Sequence, residues 1–216
     1  MLPRIRPLSP QFSSGPTKKF TGWTPAHVDD AAVGRSHRAK EPKAKIISAI
    51  DRMSALLGLP DDYRLGIVPA SDTGAVEMAM WSVLGACGTD ILAWESFGKT
   101  WVKDATQQLN LEDCRIFEAD WGDLPDLAEV DFSHDVLFTF NGTTSGVRLP
   151  DTNWIPNNRE GLTIADATSA CFAMQMDWTK LDITTFSWQK SLGGEAGHGV
   201  ITVSYTHLTL PTNDQV

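Results

Sequence analysis

After Pro42, apolar residues recur at spacings of three and four: Ile46, Ile47, Ile50, Met53 and Leu57. Lys45, Asp51 and Arg52 take the opposite side, and Gly58 and Pro60 close the pattern. This period predicts one amphipathic helix. Beyond it, short apolar runs alternate with helical stretches. Residues 65–68, 91–94, 115–117, 136–140, 162–165, 183–186 and 199–203 read as strands. Residues 71–86, with Val76, Met80, Val83 and Leu84 on one side, and residues 101–109 read as helices. Strands that are apolar through both faces and alternate with helices predict an α/β fold with a mostly parallel sheet and flanking helices. In such sheets ligands collect at the carboxyl ends of the strands.

The two ends depart from this pattern. Residues 1–40, punctuated by Pro3, Pro7, Pro10, Gly15, Pro16 and Pro25, read as an irregular arm. Residues 41–203 carry the alternation. Residues 204–216 have no helical period and resemble a translated adapter read-through, so they are expected to be a non-native tail outside the fold. Across 216 residues, 18 Lys+Arg against 27 Asp+Glu give a formal charge of −9, which supplies no positive field for nucleic acid or an anionic membrane. No run reaches the length of a membrane span, and the first residues lack the apolar core of a secretory signal. Cys87, Cys114 and Cys171 are isolated and odd in number, and are expected to be reduced, buried thiols of a cytoplasmic protein, with no metal site.

Three local patterns could carry chemistry. Lys190 follows an apolar strand and precedes the glycines Gly193, Gly194, Gly197 and Gly199. A partly desolvated lysine loses its proton more readily, and its neutral amine can attack a carbonyl. Taken alone, a lysine in a turn is more often a surface residue. Asp166 ends the apolar run 162–165, where a carboxylate is costly unless it meets a cation. A protonated pyridine nitrogen is such a cation, and it accompanies a Schiff-base lysine in pyridoxal phosphate sites; an N-cap or a salt bridge are the ordinary alternatives. Pro69-Ala70-Ser71-Asp72-Thr73-Gly74 joins a strand to a helix start, where free amides and the helix dipole favour an anion. The same residues could simply cap the helix. Asp72 would repel a phosphate if it pointed at one, so its side chain is expected to turn away or to meet the ring side of a cofactor. Phe97 could stack on a planar ligand or pack in the core. Residues 34–40 form a basic patch in which Arg38 could fork a carboxylate or stay solvated.

Taken in order, these motifs resemble the phosphoserine aminotransferases, among the class V, fold type I pyridoxal-phosphate aminotransferases. The resemblance rests on Phe12-Ser13-Ser14-Gly15-Pro16, His37-Arg38, Ser71-Asp72-Thr73-Gly74, Trp94-Glu95-Ser96-Phe97-Gly98, Asn141-Gly142-Thr143-Thr144-Ser145-Gly146, Ala165-Asp166-Ala167-Thr168-Ser169 and Ser187-Trp188-Gln189-Lys190. It implies that Lys190 forms the Schiff base with pyridoxal 5′-phosphate and that Asp166 holds the pyridinium. It further implies that Phe97 stacks on the ring, where other branches carry tryptophan, and that Thr143 contacts the ring. Asp72, Thr73 and Gln189 match the phosphate-side positions, and Arg38 matches the arginine that binds the substrate carboxylate. Elsewhere in the family a glycine-rich stretch with an arginine stands where this chain has Asp72-Thr73, so backbone amides and hydroxyls must serve here.

The resemblance also implies the reaction: transfer of an amino group between L-glutamate and 3-phosphohydroxypyruvate, giving O-phospho-L-serine and 2-oxoglutarate in serine biosynthesis. Transfer among alanine, serine, glyoxylate and pyruvate by another class V enzyme is the alternative. Family members are longer, with a C-terminal small domain that supplies the substrate-phosphate site, and they pair as homodimers. The 216-residue chain is therefore expected to be an inactive fragment that lacks that domain.

Overall fold

The computed structural model describes residues 19–205. The Phe12–Pro16 motif and the tail from residue 206 onward lie outside the described residues. Three helices and seven strands follow in order: α1 (Lys40–Leu57), β1 (Tyr63–Pro69), α2 (Ser71–Val83), β2 (Thr89–Ala93), α3 (Ser96–Lys103), β3 (Cys114–Glu118), β4 (Asp135–Thr139), β5 (Thr163–Asp166), β6 (Ile183–Ser187) and β7 (His198–Ser204). The strands form one sheet in the order β1-β7-β6-β5-β4-β2-β3. The pairs from β6 through to β3 are parallel, and β7 runs antiparallel to both β6 and β1.

Both faces of the sheet are covered, which explains the unbroken apolar runs. Side chains alternate along each strand. Ile91, Leu137, Ile164 and Ile183 pack under Val76, Ala79 and Met80 of α2 and Trp101 of α3. Leu92, Val136, Phe138, Ala165 and Phe186 face the other way, into a second core with Trp94, Leu149, Ile155 and Trp178. Strand β3, at the edge, is half-exposed along its length. This corrects two expectations. Cys114 begins that edge strand and is half-buried, and Cys87 sits in the turn before β2 and is exposed, so only Cys171 is the buried thiol foreseen for all three.

Other boundaries shift for identifiable reasons. Helix α1 begins two residues before Pro42, which the first turn tolerates because its amide would lack a partner there anyway. Only Met53 of its apolar stripe is buried, with Leu57 packed against the core, while Ile46 and Ile47 remain 40% and 47% exposed. The stripe touches the sheet at its C-terminal end alone. The helical stretch foreseen at 101–109 begins earlier, at Ser96, where the Glu95 side chain caps it by accepting from the Gly98 amide at 2.6 Å. It then loosens into a π-turn over Asp104–Gln108. Ser204 belongs to β7, and the Tyr205 amide donates to the Asp62 carbonyl at 2.9 Å. No helix among the described residues is long and apolar enough to cross a membrane.

At the amino ends of the strands, two buried carboxylates are paired with arginines, while Asp135 of β4 accepts from the Leu162 amide at 2.8 Å. Asp182, just before β6, meets Arg159 through Nε at 3.2 Å and Nη2 at 2.9 Å, and both side chains are buried. It also accepts from the Thr163 amide and hydroxyl at 2.8 and 2.9 Å, tying β5 to β6. Asp90 on β2 accepts from Arg115, the Asp131 amide and His134. Burial alone would raise its pKa, and these donors together hold it below the usual carboxylate range. Removing one partner of a buried pair strands the other charge. Asp182→Ala is therefore expected to cost about 3–5 kcal/mol of folding stability, read as a lower urea midpoint, whereas removing the exposed Glu195 partner of Lys19 should change little.

Candidate active site

Strands β2, β4, β5 and β6 end at one edge of the sheet because they are parallel. Two successive antiparallel pairings turn β1 back into the same direction, so α2 also starts at that edge. A cavity of about 140 Å³ opens there. Ser71, Asp72 and Thr73 line it from α2, Phe97 and Trp101 from α3, and Thr143 from the loop after β4. Asp166 and Thr168 come from the end of β5, and Gln189, Lys190 and Ala196 from the segment after β6. Seven residues singled out in the sequence thus converge: Asp72, Thr73, Phe97, Thr143, Asp166, Gln189 and Lys190. Arg38 does not join them. It is exposed in the turn before α1, its amide donating to Ser36 Oγ at 3.2 Å.

The turn into α2 is strained and tightly seated. Ala70 and Ser71 both have left-handed backbones, at φ 68° and 61°, which costs non-glycine residues roughly 1–2 kcal/mol each. The sheet beneath leaves little room for relaxation. A Cβ at Gly199 of β7 would lie 2.1 Å from the Ser71 carbonyl oxygen, and one at Gly74 would lie 2.6 Å from the Pro69 oxygen. Only glycine allows either approach. The expected side-chain cap is absent: Ala70 is the N-cap, and no side chain bonds to the helix start. Asp72 instead turns inward, away from the phosphate-side position that the resemblance assigned to it, and is 7% exposed.

There it meets Asp166, itself 5% exposed, within hydrogen-bond reach. Burial pushes the Asp72 carboxyl well above the usual range, and the neighbouring Asp166 charge adds to the effect. Asp166 is raised too, by burial, against the opposing hydrogen bonds from Asp72 and from the Thr168 amide at 3.2 Å. Across the cavity, burial lowers the pKa of Lys190 while the pull of Asp166 works against the shift. The net effect is an amine that gives up its proton more readily than a solvated lysine.

Hydrogen bonds fix the loops relative to one another. Glu95, which caps α3, also accepts from Thr144 Oγ1 at 3.0 Å, and Thr144 Oγ1 accepts from the Ser96 amide at 3.0 Å. Thr143 Oγ1 lies 2.6 Å from Ser169 Oγ, joining the loop after β4 to the loop after β5. Ser187 Oγ donates to Gln189 Oε1 and so orients that amide. Three buried atoms of cavity residues, Asp72 Oδ1, Trp101 Nε1 and Thr168 Oγ1, have no hydrogen-bond partner among the described residues. An uncapped helix start, a waiting donor and a waiting acceptor suit a ligand that carries an anionic group and a polar ring.

Trp101 and Thr168 were not among the sequence candidates. Trp101 lies four residues after Phe97, so a helix starting at Ser96 puts both on one face; a helix started at Trp101 hides that relation. A larger hollow of about 730 Å³ lies between residues 140–153 and 173–177 and gathers none of the candidates. The state of Lys190 can be tested directly. Labelling the chain with a small aldehyde and cyanoborohydride at neutral pH should modify Lys190 ahead of the exposed Lys103, and equal rates would contradict the depressed pKa.

No family model matches the chain. It is 57% identical over 204 residues to the phosphoserine aminotransferase of Methanosarcina mazei, a match that covers 94% of this chain and 55% of that protein. A solved phosphoserine aminotransferase from Cytophaga hutchinsonii superposes with a TM-score of 0.77 at 26% identity, covering 88% of this chain and 54% of the other. A phosphoserine aminotransferase from Trichomonas vaginalis, described as bound to PLP, shares the fold at 17% identity with a TM-score of 0.73, over 95% of this chain and 64% of its own. The chain spans about half the length of the curated relatives it matches.

Proposed function

We propose that this chain, homologous along nearly its whole length to phosphoserine aminotransferases, carries the pyridoxal 5′-phosphate site of a transaminase. The reaction is exchange of an amino group between L-glutamate and 3-phosphohydroxypyruvate, giving O-phospho-L-serine and 2-oxoglutarate. The observation that carries this reading is the convergence of Lys190 and Asp166 on one cavity beside the uncapped start of α2. The complete enzyme would be a cytoplasmic homodimer.

The residues at the cavity suit that cofactor. Pyridoxal phosphate, when bound, supplies a carbonyl that condenses with amines and a ring that withdraws electrons from the substrate Cα. The α2 amides, Thr73 and Gln189 would hold its phosphate, with the helix dipole favouring the anion. Asp166 would keep a proton on the ring nitrogen, Phe97 would cover a ring face, and Thr143 would contact the ring. Lys190, its pKa lowered by burial, would supply the amine for that condensation, in which water leaves, and would accept the proton from the substrate Cα. Arg38, exposed in the turn before α1 and outside the cavity, has no part in this set of contacts.

Borohydride reduction after adding pyridoxal phosphate should fix the label on Lys190; a label on Lys180, or on no lysine, would sink the proposal. In the complete enzyme, Asp166→Ala should lower kcat by about a hundredfold or more while cofactor affinity falls far less, because the ring charge matters most in the transition state. A kcat within a few-fold of the unsubstituted enzyme would refute the role. Since the relatives are about twice as long, the 216-residue chain alone is expected to show no phosphoserine:2-oxoglutarate transamination, and turnover by a purified, monodisperse sample would contradict this.

A further inference from the structure

Two buried carboxyls stand side by side at the inner end of the cavity, and the reaction described above uses only one of them. Asp72 reaches the site from the first turn of α2, and Asp166 from the last residue of β5. The residues are 7% and 5% exposed, both line the same cavity, and their carboxyls lie within hydrogen-bond reach of each other. A hydrogen bond between carboxyls requires a proton on one of them, since an ionised carboxylate only accepts.

The surroundings decide which one holds it. Asp166 accepts the Thr168 amide and attracts Lys190, so its negative charge is supported from two sides. The Thr168 and Thr185 hydroxyls favour a charge on Asp72, but burial and the neighbouring Asp166 outweigh them, and Asp72 Oδ1 receives no hydrogen bond from any described donor, which a buried charge would need. Three acidic groups bear on the pair besides Lys190: Asp72 and Asp166 on each other, and Glu95, whose charge acts on Asp166. Cys171, buried close by, has its thiol pushed up by burial and by both aspartates, and so adds no charge.

We propose that Asp72 is a positioning residue: a neutral carboxylic acid that donates its proton in a hydrogen bond to Asp166, so that the pair holds one negative charge instead of two. The single charge then faces a single cation. Two ionised carboxylates in contact would repel each other and overdraw negative charge beside an anionic ligand. The inference rests on the proposed function only for the identity of the cation that Asp166 faces. The strained turn at Ala70 and Ser71 has a corresponding consequence, because it rotates the first turn of α2 so that position 72 points inward.

The test reads the proton itself. In the chain labelled with carboxyl-¹³C aspartate and free of cofactor, one aspartate signal should remain in the protonated position at neutral pH and disappear in Asp72→Asn. Binding of pyridoxal 5′-phosphate gives the second measurement. Asp72→Asn keeps a neutral donor and should bind within about threefold of the unsubstituted chain, whereas Asp72→Leu, of similar size but without a donor, should bind about tenfold or more weakly. A protonated signal that survives Asp72→Asn, or no such signal at neutral pH, overturns the proposal. So does an Asp72→Asn chain that binds as weakly as Asp72→Leu. A chain that shows the Asp72 signal but binds no pyridoxal phosphate supports this inference and overturns the function proposed above.

Discussion

The contact on which the site depends is the seating of α2 on β7, where the Ser71 carbonyl lies so close to Gly199 that no side chain fits between them. From that contact the rest follows in sequence. The helix start is held against the carboxyl edge of the sheet, and the turn before it is forced through two left-handed residues. Asp72 is thereby swung inward beside Asp166, and the first amides of α2 are left without a side-chain cap. Strain of this kind persists only where the surrounding packing over-determines it. Here the packing consists of the buried Ala75, Val76, Ala79 and Met80, which lock the remainder of the helix onto the sheet.

A second constraint is the direction of the strands. One parallel set, with β1 brought into line through the antiparallel β7, delivers six chain segments to a single edge. No one segment contains a site. Lys190 is separated from Asp166 by the whole of β6, and Phe97 from Thr143 by two strands. The cavity exists because the sheet sums these ends, and because Glu95, Thr144, Thr143 and Ser169 bond the separate loops into one rim.

Much of this was legible in the residues. All seven strands were visible as apolar runs, the central ones because a sheet covered on both faces buries their side chains on either side. Lys190 and Asp166 stood out because each is a chargeable group where a strand ends. The details that escaped notice have local causes. Ala70 and Ser71 carry no mark of a left-handed turn, since that conformation is imposed by Gly199 far along the chain. The helix start at Ser96 was missed because its cap is a glutamate rather than Ser, Thr, Asp or Asn, and Trp101 was lost from the site with it. The stripe on α1 predicted a buried face, but a stripe says only that a face can be buried, and just its last turns meet the core. The exposed thiols follow the same logic, because edge position cannot be read from a strand's own residues.

Asp182 and Asp90 at the amino end of the sheet and Asp72 and Asp166 at its carboxyl end are treated in opposite ways. At the amino end, Asp182 is answered by Arg159 and by two donors of Thr163, and Asp90 by Arg115, His134 and a backbone amide. Such acids are satisfied within the fold and have nothing left to offer a ligand. At the carboxyl end, Asp72 and Asp166 face each other, Asp72 Oδ1 is left without a donor, and the nearby Lys190 is held with its proton loosened. Keeping a carboxyl protonated in the fold works against stability as pH rises above its ordinary value, because the unfolded chain releases that proton first. A protein that satisfied every buried acid with arginine would lack this penalty, and it would also lack an acidic group facing the cavity. The same residue type therefore serves two ends: where arginine answers it, it ties strands together, and where another acid, a backbone amide and a lysine surround it, it is left facing a cavity.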